Sequence, residues 1–224
     1  MSDEPTTGNP RRWFVVVVAL VLIAGLAFAV GRFSTFGTQA TASAPGTNSP
    51  EAGFSRDMQV HHAQAIEMAM NIYRKTDDDE LRVLSYDIAT GQAGQRGEMY
   101  DWLVKWGLSP SGGPMMQWMD ASDAGHAHGG TSAEPMTDEE AHAAMGMASA
   151  AEIAALKAAT GQEADCRFLT LMIRHHEGAI PMAEALLELG TDPRALEVAT
   201  AIKNGQTAEI DAMQSIQTRL GCTG

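Results

Sequence analysis

The sequence predicts an all-α protein, an antiparallel four-helix bundle made of two related helical hairpins, with a transmembrane helix in front of it. The first observation is an internal duplication, because the segment that begins at Phe54 repeats from Phe168. The second is an apolar periodicity of three and four residues, which is typical of bundle helices. The third is that no segment alternates between apolar and polar residues as a β-strand would. Two hairpins packed as one bundle account for all three.

A single-pass membrane anchor is predicted at residues 13–31. This run is apolar and uncharged, and it is long enough to cross a hydrocarbon core of about 30 Å as a helix. Arg11 and Arg12 precede it, so residues 1–12 are predicted to be cytoplasmic and the rest of the chain extracytoplasmic. Small residues at 40–44 resemble a signal-peptidase site but lie far beyond the apolar run. An uncleaved anchor in the cell membrane is therefore favoured over a removed signal.

Composition divides the rest of the chain into four parts. Residues 32–53 are rich in Ser, Thr, Gly, Pro and Ala, which predicts a flexible linker. The predicted parts that follow are a first hairpin at 54–106, a Met- and His-rich crossover at 107–148, and a short helix with the second hairpin at 149–222. The short helix is predicted from a capping box, Ser149-x-x-Glu152.

Glycines interrupt the second long helix, which is predicted from about Asp78 to Trp106. Gly91 and Gly94 lie inside it, where each costs about 1 kcal/mol relative to Ala. Because Gly205 is the equivalent of Gly91 in the second copy, we expect these glycines to allow close helix packing. The third long helix is predicted to begin at Asp165.

Charge and cysteine usage narrow the classes of partner. The formal net charge of −13 at pH 7 argues against nucleic acid or anionic lipid as a partner. Cys166 and Cys222 are the two cysteines of the chain, one at the start of the third long helix and one at the end of the fourth. Antiparallel packing brings these ends together, so a disulfide is favoured over a metal-binding thiol pair in an oxidising compartment.

Each copy of the duplication contains Met-x-x-His-His followed by a second methionine. The candidate metal ligands are Met58, His61, His62 and Met68 in the first copy and Met172, His175, His176 and Met182 in the second. Residues three and four apart share a helix face, so the thioether can act with an imidazole. This soft ligand set favours copper, Cu(I) especially. Di-iron bundles have Glu-x-x-His at such positions, so methionine there disfavours ferritin-type redox chemistry.

Plainer interpretations exist for the same residues. Methionines at helical spacing are usually core residues, and a lone buried histidine is more often hydrogen-bonded than a ligand. Duplicated His-His pairs are different, because a plain core would avoid burying so many polar groups. Whether the two pairs share one site stays open.

The crossover contains further candidates for a second, mobile metal site. They are His126, His128, Met115, Met116 and Met119, with a solvated loop as the alternative. Three carboxylates, Asp57, Glu67 and Glu177, are candidates for orienting the imidazoles, with surface or ion-pair roles as the alternative.

The repeated motif resembles the bacterial domain of unknown function 305 family. It is His-His-x-x-Ala-Ile-x-Met-Ala after Phe-x-x-x-Met, and the similarity covers about residues 54–220. The resemblance implies an exported, ferritin-like helical bundle, with some members tied to copper binding and resistance. The two copies differ at Pro181, whose counterpart is Glu67, and at Ala63, whose counterpart is Glu177. Equal metal affinity of the two halves is therefore not expected.

Three functions follow as hypotheses. The first is a membrane-tethered, extracytoplasmic protein that sequesters or transfers copper without catalysis. The second is a non-catalytic accessory subunit docked on a membrane complex, and a homo-oligomer is a further expected form of assembly. The third, a metal-dependent oxidoreductase, has no nucleophile triad, phosphate loop or catalytic carboxylate pair to support it.

Overall fold

The computed structural model describes residues 44–122 and 136–222. Its α-helices in these ranges are α1 (Pro50–Tyr73), α2 (Asp79–Lys105), α3 (Asp138–Ala144), α4 (Ala150–Ala158), α5 (Gly161–Leu189) and α6 (Pro193–Leu220). A short 3-10 helix spans Gln117–Met119, and no strand occurs in the described residues. The predicted all-α class is confirmed. Over the same ranges no helix has the length and apolar character needed to span a membrane, and the predicted anchor at 13–31 lies outside them.

Four long helices form the bundle. Helices α1 and α2 pack as one hairpin, α5 and α6 as the other, and α1 packs against α5 where the hairpins meet. Helices α2 and α6 touch over a shorter stretch. The arrangement is the predicted pair of related hairpins, with α3 in the crossover and α4 between the crossover and α5.

Helix α1 begins earlier than predicted, at Pro50 rather than Phe54. The Ser49 side chain accepts a hydrogen bond from the Ala52 N–H at 3.2 Å, and proline suits the first helical position. The buried Glu51 carboxylate accepts the Thr191 N–H at 2.6 Å. This first turn therefore joins the start of α1 to the turn that precedes α6.

Helix α5 also begins earlier than predicted, at Gly161 rather than Asp165. Helix α4 ends at Ala158, and Gly161 has a φ of 57°, a left-handed backbone that glycine adopts without steric cost. The chain can therefore turn sharply and enter α5 almost at once. The predicted capping box at Ser149 is present, because its side chain accepts from the Glu152 N–H.

Two expectations about packing have opposite outcomes. Cys166 and Cys222 form the predicted disulfide, which ties the beginning of α5 to the end of α6. The predicted packing role of the glycines is wrong. A Cβ built at Gly91, Gly94 or Gly205 meets no atom of the described chain within 4 Å. Close helix approach therefore does not explain them.

Candidate metal centre

The centre of the bundle is a pair of equivalent histidines. His61 on α1 and His175 on α5 are fully buried, and their ring centroids are 3.6 Å apart with planes tilted by 34°. These residues are separated by 114 positions, the offset of the duplication. The contact between α1 and α5 therefore places the two copies of the motif face to face.

Hydrogen bonds determine which nitrogen of each central ring carries the proton. His61 Nε2 lies 3.0 Å from the Met145 carbonyl oxygen, and His175 Nε2 lies 3.1 Å from the His61 carbonyl oxygen. A carbonyl oxygen only accepts, so Nε2 of each ring donates. The Nδ1 atoms of both rings are buried without a hydrogen-bond partner in the described part of the chain.

The second histidine of each pair follows the same pattern. His62 Nε2 donates to Gln95 Oε1 at 2.8 Å, and His176 Nε2 donates to Glu209 Oε2 at 2.7 Å. Both acceptors lie 33 residues after their histidine, so they too are equivalent. The Nδ1 atoms of these rings are likewise buried, and no described residue bonds them.

Burial keeps at least three of these rings neutral. Desolvation, and then the neighbouring His62, lower the pKa of His61 to about 3. Desolvation lowers the pKa of His62 to about 4, and it lowers the pKa of His175 well below its usual value of 6.5. At neutral pH these rings therefore present a bare Nδ1 lone pair while Nε2–H is held by an acceptor. Metal-bound histidines show this pattern, in which the second ring nitrogen donates to a neighbouring group.

Six methionines of the four long helices fall into two sets. Met58, Met99 and Met182 lie in one buried cluster, and Met68, Met172 and Met213 lie in the other. All six are fully buried. The 114-residue offset converts one set into the other, so each set draws on both hairpins. The structure therefore unites His61 with His175 but places Met58 and Met172 in different clusters.

Among the described residues, nitrogen and oxygen ligands alone do not form a metal site. In residues 44–122 and 136–222, no three or more His, Cys, Asp or Glu side chains are grouped so that they could hold a metal ion. A centre built from the central imidazoles would therefore need thioether sulfur or only two nitrogens. Soft ions of the Cu(I) type accept sulfur ligands, whereas Mg, Ca and Mn prefer oxygen.

The crossover covers the central pair, which the sequence did not indicate. Gln64 on α1 clamps Ala148, with its amide donating to the carbonyl at 2.8 Å and accepting the N–H at 2.6 Å. The equivalent position on α5 is Gly178, where an added Cβ would lie 1.9 Å from the Met145 carbonyl oxygen. The missing side chain therefore admits the backbone that accepts from His61. The difference between Gln64 and Gly178 at equivalent positions is the sequence feature that could have indicated this contact.

The structure describes three of the five residues of the predicted second metal site. Met116 and Met119 are buried in the cluster that contains Met58, and Met115 packs half-buried against it. His126 and His128 lie outside the described residues. A mobile site of these five residues stays a prediction, although Met116 and Met119 are packed in the core.

The carboxylates proposed to orient the imidazoles have other roles. Asp57 accepts from the Met116 N–H and from Trp118 Nε1, both at 2.8 Å, and so holds the crossover. Glu67 pairs with Lys157, and Glu177 is exposed. The groups that receive the Nε2 protons are instead two backbone carbonyls, Gln95 and Glu209.

Comparison with known proteins agrees with this fold. Residues 51–217 match the model of the family described as "Domain of unknown function (DUF305)". A secreted DUF305 protein of Streptomyces coelicolor is 35% identical with a TM-score of 0.68, covering 80% of this chain and 98% of its own. A DUF305 fragment of Deinococcus radiodurans is 31% identical with a TM-score of 0.61, covering 76% and 96%.

A third solved structure shares the fold at lower identity. CopM in its Cu(I)-bound form is 23% identical with a TM-score of 0.54, covering 76% of this chain and 96% of its own. No curated protein matches the chain. The family match over residues 51–217 spans well over half of the sequence, so the chain belongs to the DUF305 family.

Proposed function

We propose that this protein binds copper outside the cytoplasm, tethered to the membrane by residues 13–31, and sequesters the ion or passes it on. The observation that carries the proposal is the common state of four buried histidines. In His61, His62, His175 and His176 the Nε2 proton is held by an acceptor, and Nδ1 is buried without a partner among the described residues. A folded chain tolerates such bare polar atoms when they serve a ligand.

The surroundings of the histidines favour a soft ion. Met58, Met99 and Met182 are fully buried in one cluster and Met68, Met172 and Met213 in the other, and thioethers suit Cu(I) better than a hard cation. CopM, which shares the fold, has been solved with Cu(I), Cu(II) and Ag bound, and this supports a cargo of the same class. Copper in this proposal is the cargo that the protein holds or passes on, and no catalytic step is assigned to it.

An anaerobic titration of the full-length chain against a chromophoric Cu(I) chelator tests the nitrogen ligands. Glutamine is a suitable replacement, because its amide N–H keeps a donor near Nε2 while Nδ1 is lost. We expect the variant with all four histidines changed to glutamine to bind Cu(I) at least about 100-fold more weakly. His142→Gln changes a histidine outside the duplicated motif, whose Nε2 is also buried without a described partner, and we expect it to keep the wild-type affinity. An unchanged affinity in the folded quadruple variant would remove these histidines as ligands.

Methionine variants test the sulfur ligands separately. Leucine keeps the volume, so Met58→Leu and Met172→Leu fold with small cost but lose a thioether. We expect each to weaken Cu(I) binding about tenfold, with the smaller loss for Met58→Leu. Its cluster holds further buried methionines, Met145 and Met147, that can replace the sulfur. Met136→Leu, at an exposed position, is the control. Equal affinity in all three variants would restrict the site to nitrogen.

A further inference from the structure

A small cavity lies between α2 and α6. It has a volume of about 50 Å³, enough for a few water molecules or one ion with part of its hydration shell. The residues that matter come in equivalent pairs: Gly91 and Gly205, Gln92 and Gln206, Gln95 and Glu209. The cavity therefore lies on the approximate twofold axis that relates the two hairpins.

Two buried amides line this cavity. The side chains of Gln92 and Gln206 are 4% and 3% exposed, and neither the oxygen nor the nitrogen of either amide has a partner among the described residues. An unpaired buried amide costs on the order of 1–3 kcal/mol. Two of them at equivalent positions around one cavity indicate that it holds a polar occupant.

The glycines lie at the exposed end of the cavity. Gly91 and Gly205 are solvent-exposed, and a Cβ at either would meet no described atom within 4 Å. Each costs about 1 kcal/mol of helix propensity without permitting a closer contact. Because neither glycine has a side chain, the outer end of the cavity stays open.

Ion pairs join α2 and α6 on either side of this opening. Arg194 binds Glu98 at 2.5 Å near one end, and Arg219 binds Asp78 at 2.7 Å near the other. The arginine of each pair is exposed, so each pair contributes little energy individually. They link the two helices near their ends, and among the described residues no ion pair joins them at the glycines.

The inner lining leads to the histidines. Gln95 and Glu209, which line the cavity, accept the Nε2 protons of His62 and His176. The cavity is thus one side chain away from two candidate ligands. Across the central pair, the Met145–Ala148 backbone accepts from His61 and is clamped by Gln64.

We propose that this cavity is the passage by which a monovalent soft cation reaches the buried imidazoles, an inference that rests on the proposed function. Amide oxygens bind such an ion weakly, so Gln92 and Gln206 can replace part of its hydration without retaining it. A passage needs this balance between admission and release. The Glu209 carboxylate adds a negative charge that attracts the cation inward.

The test narrows the opening without touching the ligands. In Gly91→Leu/Gly205→Leu, leucines stand at the outer end, and the fold is retained because both positions have free space. Gly94→Leu/Gly97→Leu is the matched control, since those glycines are also exposed in α2 with free space but do not line the cavity. The full-length chains are mixed with the Cu(I) complex of a chromophoric chelator. The time course gives the loading rate, and the end point gives the affinity.

We expect the Gly91/Gly205 variant to load at least about tenfold more slowly, as gated sites do, with wild-type affinity at the end point. The control pair loads at the wild-type rate. A Gly91/Gly205 variant with wild-type rate and affinity would overturn the passage and leave the proposed function intact. A wild-type chain that takes up no Cu(I) at equilibrium would overturn both, so the two failures are distinguishable.

Discussion

Gln64 and Gly178 occupy equivalent positions in the two hairpins and act in opposite ways. Gln64 grips the Ala148 backbone with both ends of its amide, whereas Gly178 offers no side chain and lets the Met145 carbonyl approach. The crossover between the hairpins is therefore held by one copy and accommodated by the other. By contrast, His61 and His175 are buried alike and lie against each other.

This difference shows that the residues of a duplicated chain fall into two classes. Residues near the twofold axis serve both halves, so a single change there acts on both. Residues that meet the crossover, the disulfide or the ends of the bundle have a partner on one side only, so their copies are free to differ. His61 and His175 contact each other and belong to the first class, although His61 also donates to the crossover at Met145. Gln64, Gly178 and Cys166 belong to the second.

Acidification should cause the largest loss of unfolding free energy, measured on the metal-free protein. The pKa values of His61 and His62 lie at about 3 and 4 in the folded chain, below the unfolded value of 6.5. The unfolded chain therefore takes up protons first, and stability present above pH 6.5 is lost as the pH falls toward 4. Each ring contributes a loss on the order of 2 kcal/mol between pH 6.5 and 5. Urea unfolding at pH 7 and pH 5 measures it.

Single variants compare the halves in the same experiment. His61→Gln and His175→Gln should each reduce the pH dependence, because burial lowers the pKa of both rings. A much smaller reduction for His61→Gln would show that the Met145 carbonyl, which raises the pKa of His61, makes the two halves differ. Stability that stays level from pH 7 to 5 would contradict the neutral, buried state of the rings.

The sequence was sufficient for the parts of the fold that depend on periodicity and repetition. Two copies of Met-x-x-His-His at helical spacing predicted the bundle, and antiparallel ends predicted the bond between Cys166 and Cys222. The glycine prediction failed because sequence shows that a side chain is missing and not what lies opposite it. The partner of His61 could not be predicted either, since Met145 lies in an irregular turn whose path depends on tertiary contacts.

Removal of the disulfide should have the next largest effect, and it acts on the second hairpin. Cys166 and Cys222 are 56 residues apart, and the bond restricts the unfolded chain over that loop. We expect Cys166→Ala/Cys222→Ala to lose about 2–4 kcal/mol of unfolding free energy. Hydrogen exchange should rise more at the α5 and α6 ends near the bond than in α1 and α2. Uniform exchange across both hairpins would show that the halves do not differ in local stability.

The smallest expected effect is on Cu(I) affinity. It comes from the residues that accept from the second histidine of each pair, which are an amide in one half and a carboxylate in the other. His176 donates to the Glu209 carboxylate and His62 donates to the Gln95 amide. A hydrogen bond to a charged group contributes about 1 kcal/mol more than a neutral one, and a carboxylate makes a ligating imidazole more basic. Glu209→Gln should therefore weaken Cu(I) binding about fivefold, and Gln95→Glu should strengthen it by a similar factor.

The exchanged variant, Gln95→Glu/Glu209→Gln, tests whether the carboxylate strengthens Cu(I) binding in either half or only beside His176. If the halves are equivalent around the axis, moving the carboxylate from α6 to α2 restores affinity to within about twofold of the wild type. Asp211→Asn, an exposed neutralisation on α6, controls for the change in net charge. An exchanged variant that binds as weakly as Glu209→Gln alone would mean that the carboxylate works only beside His176. The crossover contacts at Met145 and Gly178 would then set the unequal affinity of the halves.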